Sequence, residues 1–216
     1  MFLRVARMDG SEQPKQLRAQ RTRQAVLAAA AESFAQLGYP ATTTADIAAR
    51  AGVTKGAMYF HFPTKEGLAV TIVEDFYRRW PPLVERIRAE SATALDAIAA
   101  VLQAVAEQFR NEVSVRAAVR LQAERALVDT DLPAPYQEWI TVLSDLFSCA
   151  AQAGELREGA DPAALARVTV GAFFGIQQVS EATTGRADLT ARLTEFWELL
   201  RLAIQIPPPH TPDPAV

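Results

Sequence analysis

Residues 42–62 read TTTADIAARAGVTKGAMYFHF, and this stretch decides the fold of the first part of the chain. Thr43 or Thr44 can cap a short helix that closes at Gly52, because a threonine hydroxyl accepts from first-turn amides and glycine suits the position after a helix. Thr54 can cap a second short helix in the same way. The stretch therefore predicts two short helices joined by a tight turn, which is a helix-turn-helix.

The second of these helices carries more aromatic rings than one buried stripe can hold. Met58 and Phe62 are four residues apart and can share that stripe, with Phe60 helping at its edge. Tyr59 lies about 100° around the helix from Met58, so it and His61 cannot both join the stripe. Both side chains carry polar atoms suited to a phosphate oxygen. Their position favours DNA contact over the alternative, a solvated face.

Two lysines and a glycine accompany these rings. Lys55 and Lys65 stand on either side of them, and Lys65 also begins a helix, whose N-terminus favours anions. Gly56 omits a side chain where a DNA backbone could approach closely. The cluster predicts phosphate contact by a helix lying in the major groove. A helix-turn-helix that serves only as scaffold is the alternative.

Charge is distributed unevenly along the 216 residues. Residues 1–67 hold nine Lys/Arg and five Asp/Glu, a net charge of +4, while the rest of the chain carries −7. A basic end on an acidic body indicates a polyanion-binding module on a body that does not bind polyanions.

Several other classes of protein are disfavoured. The single cysteine, Cys149, cannot form an internal disulfide, which suits a reducing cytoplasm. No signal peptide and no apolar run of about 20 residues is visible, so no membrane contact is expected. His61 has no Cys or Asp at nucleophile or metal spacing, and there is no glycine-rich phosphate loop. We therefore expect no enzyme, no catalytic residue, no cofactor and no metal, with an α-helical enzyme as the remote alternative.

Helical periodicity is nearly continuous and strand patterns are nearly absent, so the fold is predicted to be all-α. A long helix from Lys65 to about Glu90 is expected, with a disturbance at Pro81-Pro82. The predicted divisions are a flexible arm 1–14, a DNA-binding domain 15–64, a ligand-binding and dimerisation domain 65–205, and a disordered tail 206–216.

The helices between residues 92 and 183 are apolar on nearly all sides, with a few polar residues that need partners in a core. Together with nearby aromatic residues, these polar groups could line an apolar pocket. Internal partners or a surface position are the alternative for each. The residues predicted to bind a ligand are Phe109, Leu121, Gln122, Tyr136, Trp139, Thr169, Phe173 and Gln177.

Two apolar stripes at helical spacing near the end of the chain predict a homodimer. One stripe consists of small residues that permit close approach, and the other of large ones. An internal core seam is the alternative. The residues predicted for the dimer interface are Gly175, Val179, Leu189, Leu193, Phe196, Trp197 and Leu200.

Residues 42–68, TTTADIAARAGVTKGAMYFHFPTKEGL, closely resemble the DNA-binding signature of the TetR family of bacterial transcriptional repressors. The resemblance implies an N-terminal three-helix DNA-binding domain followed by a larger helical domain for ligand binding and dimerisation. It also implies a homodimer on a palindromic operator, released when a ligand binds the C-terminal domain. In a related subset, a basic N-terminal arm adds contacts to phosphates or the minor groove; a solvated helix start is the alternative. The residues predicted to bind DNA are Lys15, Arg18, Arg21, Thr43, Thr54, Lys55, Gly56, Tyr59, His61 and Lys65.

Residues 115–139, VRAAVRLQAERALVDTDLPAPYQEW, resemble the matching stretch of gamma-butyrolactone receptors, a TetR subfamily that senses autoinducers controlling antibiotic biosynthesis. The resemblance places Trp139 in the ligand pocket. It implies a repressor of the bacterial cytoplasm, associated with the nucleoid, whose ligand is a hydrophobic molecule with a polar head. A butenolide, a furan carboxylic acid or an antibiotic-like molecule would also suit the pocket, and a multidrug-responsive repressor of an efflux gene is the alternative function. For an acidic ligand, Arg86, Arg116 or Arg120 could serve.

Overall fold

The structure, a computed structural model, describes residues 12–134 and 136–206. It confirms the all-α fold: within these ranges the extended pairing amounts to one isolated bridge between Leu156 and Gln205. The predicted arm and tail lie mostly outside the described residues. The helices are α1 (Glu12–Leu37), α2 (Thr44–Arg50), α3 (Lys55–His61), α4 (Lys65–Arg78), α5 (Trp80–Glu90), α6 (Ala94–Asn111), α7 (Val113–Ala123), a 3-10 turn (Arg125–Leu127), α8 (Gln137–Gln152), α9 (Pro162–Thr184) and α10 (Leu189–Ile204).

Two helices differ from the sequence prediction at their ends. The long helix expected from Lys65 to Glu90 is two helices, with the break at Arg79 and the prolines in the first turn of α5. Proline lacks an amide hydrogen and clashes with the preceding turn, so it is tolerated at a helix start but not inside one. Helix α1 begins at Glu12, five residues before the expected Leu17.

The chain forms two compact units. The first combines the chain up to Phe76 with Val113–Pro133, and the second combines Tyr77–Glu112 with the chain from Ala134 onward. Helix α7 belongs to the first unit because its apolar face packs along α1. The predicted functional boundary between residues 64 and 65 remains a prediction, and the compact units divide the chain elsewhere. Periodicity identifies the buried face of α7 but not the helix that covers it.

In the second unit, α8 packs against α6 and α9, and α10 packs against α6 and α9. Three residues predicted for the dimer interface belong to this core. Leu189 and Leu193 are fully buried and Trp197 is 6% exposed within a single chain. A side chain covered by its own protomer has little surface to offer a partner, so this burial favours the alternative, an internal core seam, at these three positions.

Among the described residues, no helix is both long and apolar enough to cross a membrane. The same part of the chain contains no group of three or more His, Cys, Asp or Glu side chains arranged to hold a metal ion.

Candidate DNA-binding surface and ligand cavity

Helix α2 and the turn after it are set by local hydrogen bonds. The Thr43 hydroxyl caps α2 by accepting from the Asp46 amide at 3.1 Å, as predicted. Gly52 follows the helix with φ +66°. The amide of Val53 reaches back to the carbonyl of Ala48 at 3.0 Å, and that of Gly52 to Ala49 at 3.1 Å. This is a Schellman motif, in which glycine takes the left-handed residue without strain.

Helix α3 has the predicted cap and the predicted anchors. The Thr54 hydroxyl accepts from the Ala57 amide at 3.2 Å. Met58 is fully buried and Phe62 is 4% exposed, so these two side chains fix the buried face. Tyr59 is 44% exposed, and its phenol oxygen lies 3.0 Å from the hydroxyl of Thr44 on α2. The outward placement of Tyr59 is thus confirmed, while its DNA contact remains a prediction.

The sequence predicted that Phe60 helps at the edge of the core, and this prediction is wrong. Its side chain is 81% exposed, and its ring meets His61 edge to face at 5.2 Å. The helix presents Phe60 on the face opposite Met58. An exposed phenylalanine on a short helix gains nothing from the protein's own core. Phe60 was not among the residues predicted to bind DNA, although its position between Tyr59 and His61 was the available signal.

Basic residues follow one another along the start of α1. Lys15, Arg18 and Arg21 are exposed and spaced three apart, so they share one side of the helix. They were predicted as contacts supplied by an arm, and the structure has them on α1 itself. Arg23 lies over the ring of Phe62, with its guanidinium carbon 5.0 Å from the ring centroid. Lys55 and Gly56, at the start of α3, are both exposed.

Lys65, which was predicted to contact DNA, makes hydrogen bonds within the protein. Its ammonium donates to the carbonyl oxygens of Tyr39 at 3.0 Å and Thr42 at 3.2 Å. It also lies 3.9 Å from the centroid of the Tyr39 ring. Two of its three donors are therefore used inside the protein. The side chain holds the segment before α2, which a reading of charge along the sequence could not show.

Tyr39 and Glu66 form a polar pair next to this lysine. The phenol donates to the Glu66 carboxylate at 2.5 Å. Burial, and then the hydrogen bond to Glu66, raises the pKa of Tyr39 well above its ordinary value. The bond from Tyr39 in turn lowers the pKa of Glu66. The tyrosine therefore remains a neutral donor to a charged acceptor, which is a strong type of hydrogen bond.

The second unit contains a small apolar cavity, of about 10 Å³. Trp139 and Phe173 line it, as predicted. The ring of Trp139 packs against that of Trp80 with centroids 4.1 Å apart, and Phe173 meets Phe109 at 5.2 Å. The full lining is Leu102, Val105, Trp139, Leu143, Val170, Phe173 and Phe174.

Two polar atoms near the cavity have no hydrogen-bond partner among the described residues. The indole nitrogen of Trp139 is buried and unpaired, and so is the hydroxyl of Thr169. Thr169 precedes the lining residue Val170 and shares a helix face with Phe173, four residues later. Both atoms can donate a hydrogen bond, so both are candidates for contact with a polar atom of a ligand.

Four other residues predicted to bind a ligand are not part of the cavity lining. Tyr136 is 39% exposed, has φ 64°, and meets Phe174 at 4.5 Å. Gln177 is buried, and its amide oxygen accepts from Arg186 at 3.4 Å. Leu121 and Gln122 belong to the first unit and do not line the cavity; the Gln122 amide donates to the carbonyl of Pro133 at 2.9 Å.

The outer face of α9 and α10 is apolar. Of the predicted dimer residues, Gly175 is exposed and Val179 is 50% exposed, while Phe196 and Leu200 are half-buried. Further exposed apolar side chains were missed because their spacing also fits a solvated face. These are Val168 on α9 and Leu199 and Leu202 on α10.

Residues 26–72 match the model of the bacterial regulatory proteins of the tetR family, and residues 92–205 match the tetracyclin repressor-like C-terminal domain. The chain belongs to the TetR family. The N-terminal match spans α2 and α3, so the sequence resemblance and the helix-turn-helix geometry agree.

Several TetR-family relatives resemble this chain over most of its length. The A-factor receptor protein of Streptomyces griseus is 34% identical over 89% of this chain and 67% of its own. A structure described as the molecular basis for control of antibiotic production by bacterial hormones is 45% identical, covering 86% of this chain and 98% of that one, with TM-score 0.80. CprB of Streptomyces coelicolor, solved with its operator, is 30% identical over 90% and 92%, with TM-score 0.77.

Proposed function

We propose that this TetR-family chain is a repressor of the bacterial cytoplasm that binds a palindromic operator as a homodimer. The observation that carries the proposal is the exposed face of α3, where Tyr59 and Phe60 project from a helix anchored by Met58. A relative solved on operator DNA, CprB, supports it. The two α3 helices of a dimer would enter successive major grooves, about 34 Å apart.

The proposed DNA contacts divide by chemistry. Lys55, the Tyr59 phenol and His61 donate to phosphates, and the amide of Gly56 can do so without a side chain in the way. Phe60 has no polar atom, so it contacts base edges, where a thymine methyl offers an apolar partner. Exposed cations at the start of α1 add phosphate contacts, and Thr43 and Thr54 mainly cap helices. These added cations are Lys15, Arg18 and Arg21.

We propose that the operator is released by a small signalling molecule of gamma-butyrolactone, butenolide or furan type, controlling antibiotic biosynthesis. The ligand's apolar part would pack between Trp139 and Phe173. An oxygen of the ligand would accept from the Trp139 indole nitrogen, which can only donate. The relatives named for A-factor and for bacterial hormones support this ligand class.

The experiment that tests this function starts from a random pool of duplex DNA. The wild-type chain should select a palindrome and bind it with two chains per site. Synthetic gamma-butyrolactones, butenolides and furans are then added to the complex, and one class should lower operator affinity. Release by many unrelated hydrophobic cations instead would favour a multidrug-responsive repressor. Turnover of the added molecule would favour an enzyme.

The homodimer is proposed to form through the outer face of α9 and α10. Gly175 permits close approach, and Val179 and Leu202 supply apolar area. Val179→Asp should convert the dimer to a monomer, since a two-fold axis duplicates the charge and buries both copies in one interface. Sedimentation equilibrium measures the mass. Leu127→Asp, at an equally exposed apolar residue of the first unit, should leave the dimer intact; a dimeric Val179→Asp chain would contradict this interface.

A further inference from the structure

An ion pair between Arg120 on α7 and Glu124, the residue that follows α7, holds the end of α1 and the segment after it. The Arg120 guanidinium donates to the Glu124 carboxylate at 3.0 Å. A second guanidinium nitrogen, Nη1, donates to the carbonyls of Ala35 at 3.0 Å and Gln36 at 3.1 Å. The second oxygen of Glu124 accepts from the backbone amide of Tyr39 at 2.6 Å. Carbonyls in the last turn of a helix have no amide partner within the helix, so Arg120 supplies the missing hydrogen-bond donor.

Gly38 lies directly against the side chains of Arg120 and Glu124. It has φ +82°, and a Cβ built on it would lie 2.6 Å from a carboxylate oxygen of Glu124 and 2.8 Å from a guanidinium nitrogen of Arg120. Contacts this short do not occur in folded proteins, so any larger residue would push the pair away. The glycine therefore leaves room for the charged ends of these two side chains.

Helix α4 holds the same segment from its other side. Lys65 and Glu66 bind the carbonyl, ring and phenol of Tyr39, and Lys65 also binds the carbonyl of Thr42. The next residue, Thr43, caps α2. Residues 38–42 are thus held by Glu124 through the backbone amide of Tyr39, and by α4 through two backbone carbonyls and the Tyr39 side chain. Because residues 38–42 lead directly into the cap of α2, the contacts that orient this segment also orient the start of the helix-turn-helix.

We propose that Arg120 and Glu124 are positioning residues that set the orientation of the helix-turn-helix for operator reading. The proposal rests on the DNA-binding function proposed above. Hydrogen bonds are lost beyond about 3.5 Å, so a small displacement of α7 would release Tyr39 and the end of α1. The segment Val113–Pro133 that contains α7 continues at both ends into chain of the second unit. A change in the second unit therefore has a covalent route to this pair.

The test uses the palindrome selected by the wild-type chain, a random duplex of equal length, and the full-length protein without ligand. Glu124→Ala removes both bonds made by the carboxylate and should lower operator affinity by about tenfold or more. Affinity for the random duplex should stay unchanged, because phosphate contacts do not depend on register. Glu124→Gln keeps an acceptor for the Tyr39 amide and should restore part of the loss. Glu107→Ala, which breaks a surface pair with Arg110, is the control.

Gly38→Ala tests the same positioning role without changing Arg120 or Glu124. It should reproduce the loss of operator specificity, while Gly154→Ala, at a similar φ of +70° with open space around it, should not. Amide hydrogen exchange should quicken at Tyr39 in Glu124→Ala while the buried amides of α1 stay protected, which shows that the unit remains folded. Equal losses on operator and random duplex, or no loss on either, would overturn the proposal. A wild-type chain that selects no DNA would instead overturn the function on which it rests.

Discussion

Phe60→Ala should abolish operator reading while leaving the protein as stable as before. The side chain is 81% exposed, so its removal costs the fold little; surface substitutions typically change stability by less than about 0.5 kcal/mol. Covering a phenylalanine on binding is worth about 1.5–3 kcal/mol, and a dimer presents two of them. We therefore expect operator affinity to fall by about a hundredfold or more.

The salt dependence separates this role from that of the cations. Phe60→Ala removes no charge, so the slope of log affinity against log salt should be unchanged. Lys55→Ala should instead reduce that slope by about one for each half-site. Leu127→Ala, at another exposed apolar residue of the first unit, is the matched control and should bind normally. A Phe60→Ala chain that binds the selected palindrome at wild-type affinity would refute the base contact.

The helix-turn-helix could be predicted from the sequence because its determinants are local. Thr43, Gly52 and Thr54 each form hydrogen bonds within five residues, so residue type and spacing suffice to locate both helices and the turn. The buried face of α3 is likewise set by Met58 and Phe62, four residues apart. The all-α fold and the family followed from the same local patterns.

What the sequence could not supply depends on contacts between distant parts of the chain. In the sequence, Lys65 cannot be told from a lysine that binds phosphate. The structure shows its ammonium 3.9 Å from the centroid of the Tyr39 ring. Leu193 on α10 has the spacing of an interface residue, yet its own protomer buries it completely. Arg120 was a candidate for an acidic ligand, but it is engaged by Glu124 and by α1. A pattern shows which face is apolar or charged, and tertiary packing decides what meets that face.

Thr169→Val should make the protein more stable and less responsive at once. The Thr169 hydroxyl is fully buried and has no partner among the described residues. Burying an unpaired hydroxyl costs about 1–3 kcal/mol, and valine replaces it with a methyl of similar size. The free energy of unfolding without ligand should therefore rise by about 1 kcal/mol. Thr169→Ser, which keeps the hydroxyl and loses the methyl, should move stability in the opposite direction.

Thr169→Val should also lower ligand affinity, because the hydroxyl and the Trp139 indole nitrogen are two buried polar atoms near the cavity that have no partner among the described residues. Thr169→Val and Trp139→Phe should each weaken binding of the releasing molecule by about tenfold, measured by calorimetry, while operator affinity without ligand stays the same. A more stable Thr169→Val chain that still binds ligand normally would place the ligand elsewhere. A destabilised one would mean that the hydroxyl is already paired in the absence of ligand. In the unbound protein, two buried donors without partners carry an unfavourable free energy, which a ligand removes by pairing with them. This free-energy difference between the bound and unbound states is what a repressor can use to sense its signal.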